Sequence, residues 1–244
     1  MATNTPVVLI TGVGPGTGAA TARRFAAAGY RIAMLARGAA RLQDLEVELP
    51  GSRAFVCDVS DEAAVDAAVA EVVKEMGAPE ILIHNAIGGV SGSESVDGVM
   101  GNFLEIEPAS LEYNFKVNTM ALLHLARRVA PAMVEAGRGS IIVTGNTSAT
   151  RGKAGFAAFA PSKAAQRILA ESMARYLGPK GVHVAYVVID AVIDVPWTRK
   201  FFSHESDEFF IKPAAIAEEI WHLAHQDRSA WSFNVEVRPF RESW

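Results

Sequence analysis

Thr11-Gly12-Val13-Gly14-Pro15-Gly16-Thr17-Gly18 sets four glycines between the apolar run Val7 to Thr11 and a helix-forming stretch. Glycine permits a tight turn and lets main-chain amides approach a ligand. A helix starting there adds unpaired N–H groups and the positive end of its dipole. Gly12, Gly14, Pro15, Gly16, Thr17 and Gly18 therefore read as a cradle for a pyrophosphate. Arg37 is the next candidate. Dinucleotide sites place an acid at the end of the second strand to hold a ribose 2′-hydroxyl. Here Met34-Leu35-Ala36-Arg37 holds no acid. A guanidinium at that place can fork onto a 2′-phosphate, or it can be a solvated surface arginine. Asp190 and Asp194 are carboxylates after a later strand. Either is a proton source if burial raises its pKa, or a cap for the segment that follows.

The elements that must position these groups alternate. Val7–Thr11, Arg31–Ala36, Ala54–Cys57 and Ile81–His84 read as strands; Ala19–Ala28, Ala39–Glu48 and a stretch from Ser60 to Met76 read as helices. Ser60, followed by Asp61 and Glu62, is the expected N-cap of the third. Leu111–Ala136 and Phe156–Leu177 are two long helices, flanking a fifth strand at Ser140–Thr144. A sixth strand follows at His183–Ile189, a helix at Pro213–His225 and a last strand at Trp231–Val237. This alternation implies an α/β fold, a doubly wound parallel sheet with helices on both faces, in one domain over residues 1–244. Gly88 to Gly101, with five glycines and three serines, reads as a loop. Asp190 to Lys212 is a second irregular stretch. Gly88–Pro108 and Asp190–Lys212 are expected to line a substrate pocket. Phe201, Phe202, Phe209 and Phe210 suggest an apolar ligand, or a lid packed on its own core.

The 244 residues are half hydrophobic and one-fifth charged, the balance of a soluble globular chain. A net charge of −4 gives no footprint for nucleic acid. The lone Cys57 cannot form an internal disulfide and suits a reducing cytoplasm. No signal segment and no run long enough to span a membrane is read.

The spacing Gly12-x3-Gly16-x-Gly18 resembles the TGxxxGxG fingerprint of the short-chain dehydrogenase/reductase family, and the likeness extends over nearly the whole chain. The resemblance implies a nicotinamide dinucleotide cofactor. Arg37 points to NADP(H) over NAD(H). Asp58, with Val59, matches the family aspartate that faces the adenine, or is a turn residue. His84-Asn85-Ala86-Ile87 resembles the family's Asn-Asn-Ala-Gly, so Asn85 and Ala86 are expected beside the cofactor ribose. Asn118 resembles the catalytic asparagine, which holds a water leading to the lysine. Lys163, in Pro161-Ser162-Lys163-Ala164-Ala165, resembles the family lysine and can bind the ribose hydroxyls. Asp190 stands near the family's Pro-Gly turn at the carboxamide.

One departure bears on the chemistry. Family members place a tyrosine four residues before that lysine and a serine thirteen before the tyrosine. Those places are Phe159 and Asn146. Enoyl reductases of the same fold set the tyrosine seven before the lysine, which is Phe156. The chain thus resembles a divergent variant with phenylalanine in place of the catalytic tyrosine. Phenylalanine has no proton to give, while Asn146 can still donate to a carbonyl oxygen. Two functions stay open. One is an NADP(H)-dependent oxidoreductase acting on a carbonyl, alcohol or enone with an atypical proton donor: a water held by Asn118 and Lys163, or an aspartate. The other is an inactive NADP(H)-binding sensor or scaffold. The family also implies a small-molecule substrate and a homodimer or homotetramer through the two long helices. Trp231, Phe233, Phe240 and Trp244 are candidates to bury against a partner, or to pack within one chain.

Overall fold

The computed structural model describes residues 5–88 and 101–242. Seven parallel strands form its main sheet: β1 (Val7–Thr11), β2 (Arg31–Ala36), β3 (Arg53–Val56), β4 (Ile81–His84), β5 (Gly139–Asn146), β6 (Val182–Ile189) and, after a two-stranded pair, β9 (Asn234–Val237). Their order is β3-β2-β1-β4-β5-β6-β9. The chain reverses its direction of growth between β1 and β4, so the loops after these strands splay apart and leave a crevice at their carboxyl ends.

Both sheet faces are covered, which is why β1 and β6 are buried along their whole length instead of alternating. Leu9, Leu35, Leu82 and Tyr186 point to one side, under α3 (Glu62–Met76), α5 (Ala121–Ala136) and α6 (Ala160–Leu177). Val8, Ile10, Met34 and Ala185 point to the other, under α1 (Thr17–Ala27), α2 (Ala39–Glu48) and α8 (Pro213–Ala224).

Several boundaries differ from expectation. The α3 cap is Asp61, which accepts from the N–H groups of Ala63 and Ala64; Ser60 instead turns back onto Asp58. The long helix before β5 is interrupted: α4 (Pro108–Asn114) passes into a π-helical turn, Phe115–Met120, before α5. α6 begins at Ala160, not Phe156. Pro161 has no N–H and belongs in a first turn, so the residues before it form turns. The stretch after β6 is more regular than its composition suggests. β7 (Val192–Ile193) pairs with β8 (Phe210–Ile211), and α7 (Pro196–Phe201) lies between them. Arg199 ties Asp194 to Asp207 across that stretch.

The last strand starts at Asn234 because Trp231 is drawn away to stack on His183, 4.9 Å between ring centroids. Phe233 packs on the core and Phe240 is exposed. The expected loop at Gly88–Gly101 falls mostly on residues 89–100, outside the described residues, as does Trp244. Among the described residues no helix is long and apolar enough to cross a membrane, and no cluster of ligating side chains could hold a metal.

Candidate active site

A cleft of about 860 Å³ opens at the carboxyl ends of the strands, where the sheet order reverses. The glycine turn forms its floor. Gly12 has φ +70°, and a Cβ there would lie 2.5 Å from the main-chain N of Ala86. A Cβ on Gly18 would lie 2.4 Å from the Gly12 carbonyl. These two glycines let the turn close on itself and on β4. A Cβ on Gly14, by contrast, would meet only the Gly12 carbonyl, at 4.0 Å, among the described residues, so a ligand can come close to the main chain there. Among the described residues no side chain caps α1, which leaves its first N–H groups to the cleft. Thr17 Oγ1 is buried without a hydrogen-bond partner among the described residues. Main-chain donors, a helix dipole and an orphaned hydroxyl together suit a pyrophosphate.

Asn85 secures this floor. Its Nδ2 donates to the Gly12 carbonyl at 2.8 Å, and its Oδ1 accepts from Thr144 Oγ1 at 3.1 Å. Ala86, Asp58 and Val59 line the same cleft. Asp58 Oδ1 accepts from the main-chain N and the hydroxyl of Ser60. It is the one acid among the described residues that line the cleft. Arg37 lies at the end of β2, its guanidinium donating to Tyr113 Oη at 3.0 Å. Arg41, which the sequence reading passed over, lines the cleft one helical turn on. Cys57 also lines it, but burial pushes its thiol up to about 11, so it stays a neutral, inert wall.

At the other end, Asn146 lines the cleft; its Oδ1 accepts from Ser148 N, and its Nδ2 makes no protein hydrogen bond among the described residues. Lys163 lines it too, though only 2% exposed. Burial brings its amine down to about 7. Phe159 is 0% exposed and does not line the cleft; its ring packs against Phe156 in the core. Asn118 is buried and also stays out of the cleft. Its Oδ1 accepts from Gly88 N, and its Nδ2 donates to Ser162 Oγ. The protein link from Asn118 to Lys163 is a side chain: Gln166 Nε2 donates to the Asn118 carbonyl at 2.7 Å, while Gln166 Oε1 accepts from Lys163 Nζ at 2.5 Å. The π-helical turn at Phe115–Met120 makes this possible, because the wider turn frees carbonyls from the helix ladder.

The aspartates occupy other posts. Asp190 sits beside the cleft, between Arg151 at 3.6 Å and Arg238 at 3.8 Å. Asp194 accepts a fork from Arg199, at 2.7 and 2.9 Å, which holds its carboxyl below the usual range. An acid so paired is ionised at neutral pH, so the expectation of a raised Asp194 pKa is overturned. The phenylalanines of the 190–212 stretch pack on one another, Phe202 tilted against Phe209 and Phe209 edge-on to Phe210, and none lines the cleft. The wall they support carries Ile193, Val195 and Trp197 instead.

Sequence reasoning missed Gln166 and Tyr186. The signals were present. Gln166 lies one turn after Lys163 on the same helix face, and Tyr186 is, with His183, one of two non-aliphatic residues in its strand.

The sequence model of the family described as short chain dehydrogenase matches residues 6–206. The chain is 32% identical over 177 residues to D-erythrulose reductase of Gallus gallus, a match over 72% of this chain and 67% of that protein. Among solved structures, a short-chain dehydrogenase from Rhodopseudomonas palustris is 31% identical with a TM-score of 0.79, over 97% of this chain and 99% of that one. A metagenomic short-chain oxidoreductase in complex with NADP is 29% identical with a TM-score of 0.81, over 97% and 98%.

Proposed function

The chain belongs to the short-chain dehydrogenase/reductase family, and from that premise we propose that it is an NADP(H)-dependent oxidoreductase acting on an apolar carbonyl, alcohol or enone. The observation that carries the cofactor choice is the pair Arg37 and Arg41 at the cleft end of β2, where an NAD site would hold an acid. Gly12, Gly14, Pro15, Gly16, Thr17 and Gly18 hold the pyrophosphate. Asp58, Val59, Asn85 and Ala86 flank the adenosine and the ribose. The NADP bound to the metagenomic relative supports this reading.

The bound dinucleotide supplies the hydride. The chain positions the substrate and excludes water, with Ile193, Val195 and Trp197 as an apolar wall of the cleft, Ile193 and Val195 beside Gly16. Asn146 Nδ2 donates a hydrogen bond to the substrate oxygen. Asn118 supports the site from behind through Ser162 and Gln166. Asp190 braces the turn after β6 by its arginine pair. The chain works as a homodimer or homotetramer in the cytoplasm. Met120 in the π-helical turn, with Ile168 and Tyr176 on α6, leaves exposed apolar surface, which fits such an assembly.

Calorimetry tests the assignment. NADPH binds more tightly than NADH to the purified protein, and Arg37→Asp weakens NADPH by roughly 10-fold or more while changing NADH little, the loss of a charge-assisted fork. Equal loss for both cofactors, or no binding of either, defeats the reading. A second reading, a cofactor-binding protein without turnover, is favoured by one observation: Phe159 is buried and offers no proton. Activity that appears only in Phe159→Tyr would support it.

A further inference from the structure

Lys163 reaches the cleft from a setting unlike that of a solvated lysine. Its Nζ donates to the Thr144 carbonyl at 3.1 Å and to Gln166 Oε1 at 2.5 Å. An ammonium carries three protons, so one N–H has no acceptor among the described residues, on a side chain that lines the cleft. Gln166 Oε1 also accepts from Tyr186 Oη, at 3.2 Å. Tyr186 is fully buried, and its ring fits only because Gly145 has no side chain: a Cβ there would lie 2.1 Å from the hydroxyl oxygen. A glycine on β5, a glutamine on α6 and a tyrosine on β6 thus combine to hold one amine at the reaction end of the cleft.

The described groups around that amine leave its charge uncompensated. From β4 comes His84, which burial keeps neutral down to about pH 3. From β6 comes Tyr186, whose phenol burial pushes up, opposed by Arg167. From the π-helical turn comes the Asn118 carbonyl, already taken by Gln166. No carboxylate pairs with Lys163 among the described residues. A buried ammonium without a counter-ion gives up its proton readily, and Lys163 stands near neutrality.

We propose that Lys163 itself is the proton donor to the substrate oxygen, with Gln166 and Tyr186 as its positioning residues. This rests on the oxidoreductase reading above. As the carbonyl carbon accepts the hydride of the reduced dinucleotide, an N–H bond of Lys163 breaks and an O–H bond forms on the substrate. The carbonyl is reduced by two electrons, the dinucleotide is oxidised, and Lys163 is left as a neutral amine. Solvent reprotonates it through the cleft. Alcohol oxidation runs the same transfer backward and needs the neutral amine.

The first test uses the protein without cofactor. In protein labelled at lysine Nζ, NMR shows one signal titrating near pH 7 that is missing from Lys163→Met. A Lys163 signal titrating above pH 9.5 overturns the proposal. NADPH fluorescence on the same sample separates the two claims: binding with a high amine pKa sinks the proton donor alone, and no binding sinks the oxidoreductase. The second test is kinetic, with phenanthrenequinone as an apolar diketone probe. kcat/KM falls about tenfold per pH unit above pH 7, and Lys163→Arg abolishes that limb together with most of the rate, because a guanidinium does not titrate there. A limb that persists in Lys163→Arg, or no turnover at any pH from 5 to 8, overturns the proposal. Gln166→Glu sets a carboxylate against the ammonium, so the amine signal and the kinetic limb both move up by about one pH unit or more. If neither moves, the positioning role fails.

Discussion

Under β1 to β3 the cleft offers a ligand mainly main chain: the amides of the glycine turn, the open end of α1, the bare approach at Gly14. Under β5 and β6 it offers side chains, Asn146 and Lys163, held by a buried network of Gln166, Tyr186 and Asn118. The first end is built by leaving atoms out. The second is built by packing polar groups in, at a cost in desolvation that the network offsets only in part. The first tolerates no added carbon at Gly12 or Gly18, and the second tolerates change only where its hydrogen bonds are replaced.

The largest effect is expected at the main-chain end. Gly12→Ala meets the main chain of Ala86 at 2.5 Å and needs φ +70°, which alanine adopts poorly. It is expected to cost about 3 kcal/mol and to abolish NADPH binding, read by denaturation and calorimetry. Retained binding would break the contrast at its root. Next comes the strand between the two ends. His84 is buried neutral, its folded pKa about 3 against 6.5 for the free side chain. The unfolded chain therefore binds the extra proton first, and the stability His84 contributes, complete above pH 6.5, is lost as pH falls toward 3. The loss amounts to about 2 kcal/mol between pH 6.5 and 5. His84→Asn should flatten that slope in urea melts; an unchanged slope would show that other groups carry it.

At the side-chain end, Gly145→Ala drives a Cβ into Tyr186 and is expected to cost about 2 kcal/mol. Adding Tyr186→Leu should recover part of this, with a coupling of about 1 kcal/mol in a double-mutant cycle. Additive losses would mean that the glycine does not make room for the tyrosine. The smallest effect sharpens the comparison most. Lys163→Met removes a buried cation and leaves the Tyr186–Gln166 bond in place. It should raise stability at pH 7 by about 1 kcal/mol while turnover collapses. A melting temperature that falls instead would mean that the amine holds the fold together and not only the chemistry.

The binding half was legible because its signals are local. Four glycines within eight residues, a strand before them and a helix after, state a turn geometry by short-range sterics alone. The absent acid beside Arg37 is likewise a matter of adjacent residues. The reaction half was legible only as a loss. The register from Asn146 to Phe159 to Lys163 showed that a phenol was missing, and nothing in that spacing showed what stands in the gap. Gly145, Gln166 and Tyr186 come from a strand, a helix and the next strand, and they meet only when β5 and β6 pair and α6 covers them. The paired state of Asp194 differs, because its partner Arg199 is only five residues on and what the sequence hid was the turn into α7 that brings the two together.

By itself, then, the order of residues determined the alternation of strands and helices, the glycine cradle and the absence of a hydroxyl at Phe159. Each of these follows from periodicity, backbone sterics or side-chain identity within a few neighbours. Tertiary structure alone decided that the Phe159 ring is buried, that Asp190 is braced beside the cleft, and that Lys163 lies buried with no carboxylate beside it among the described residues. Burial and the company of distant groups set how readily a proton leaves, and both exist only after the sheet has closed.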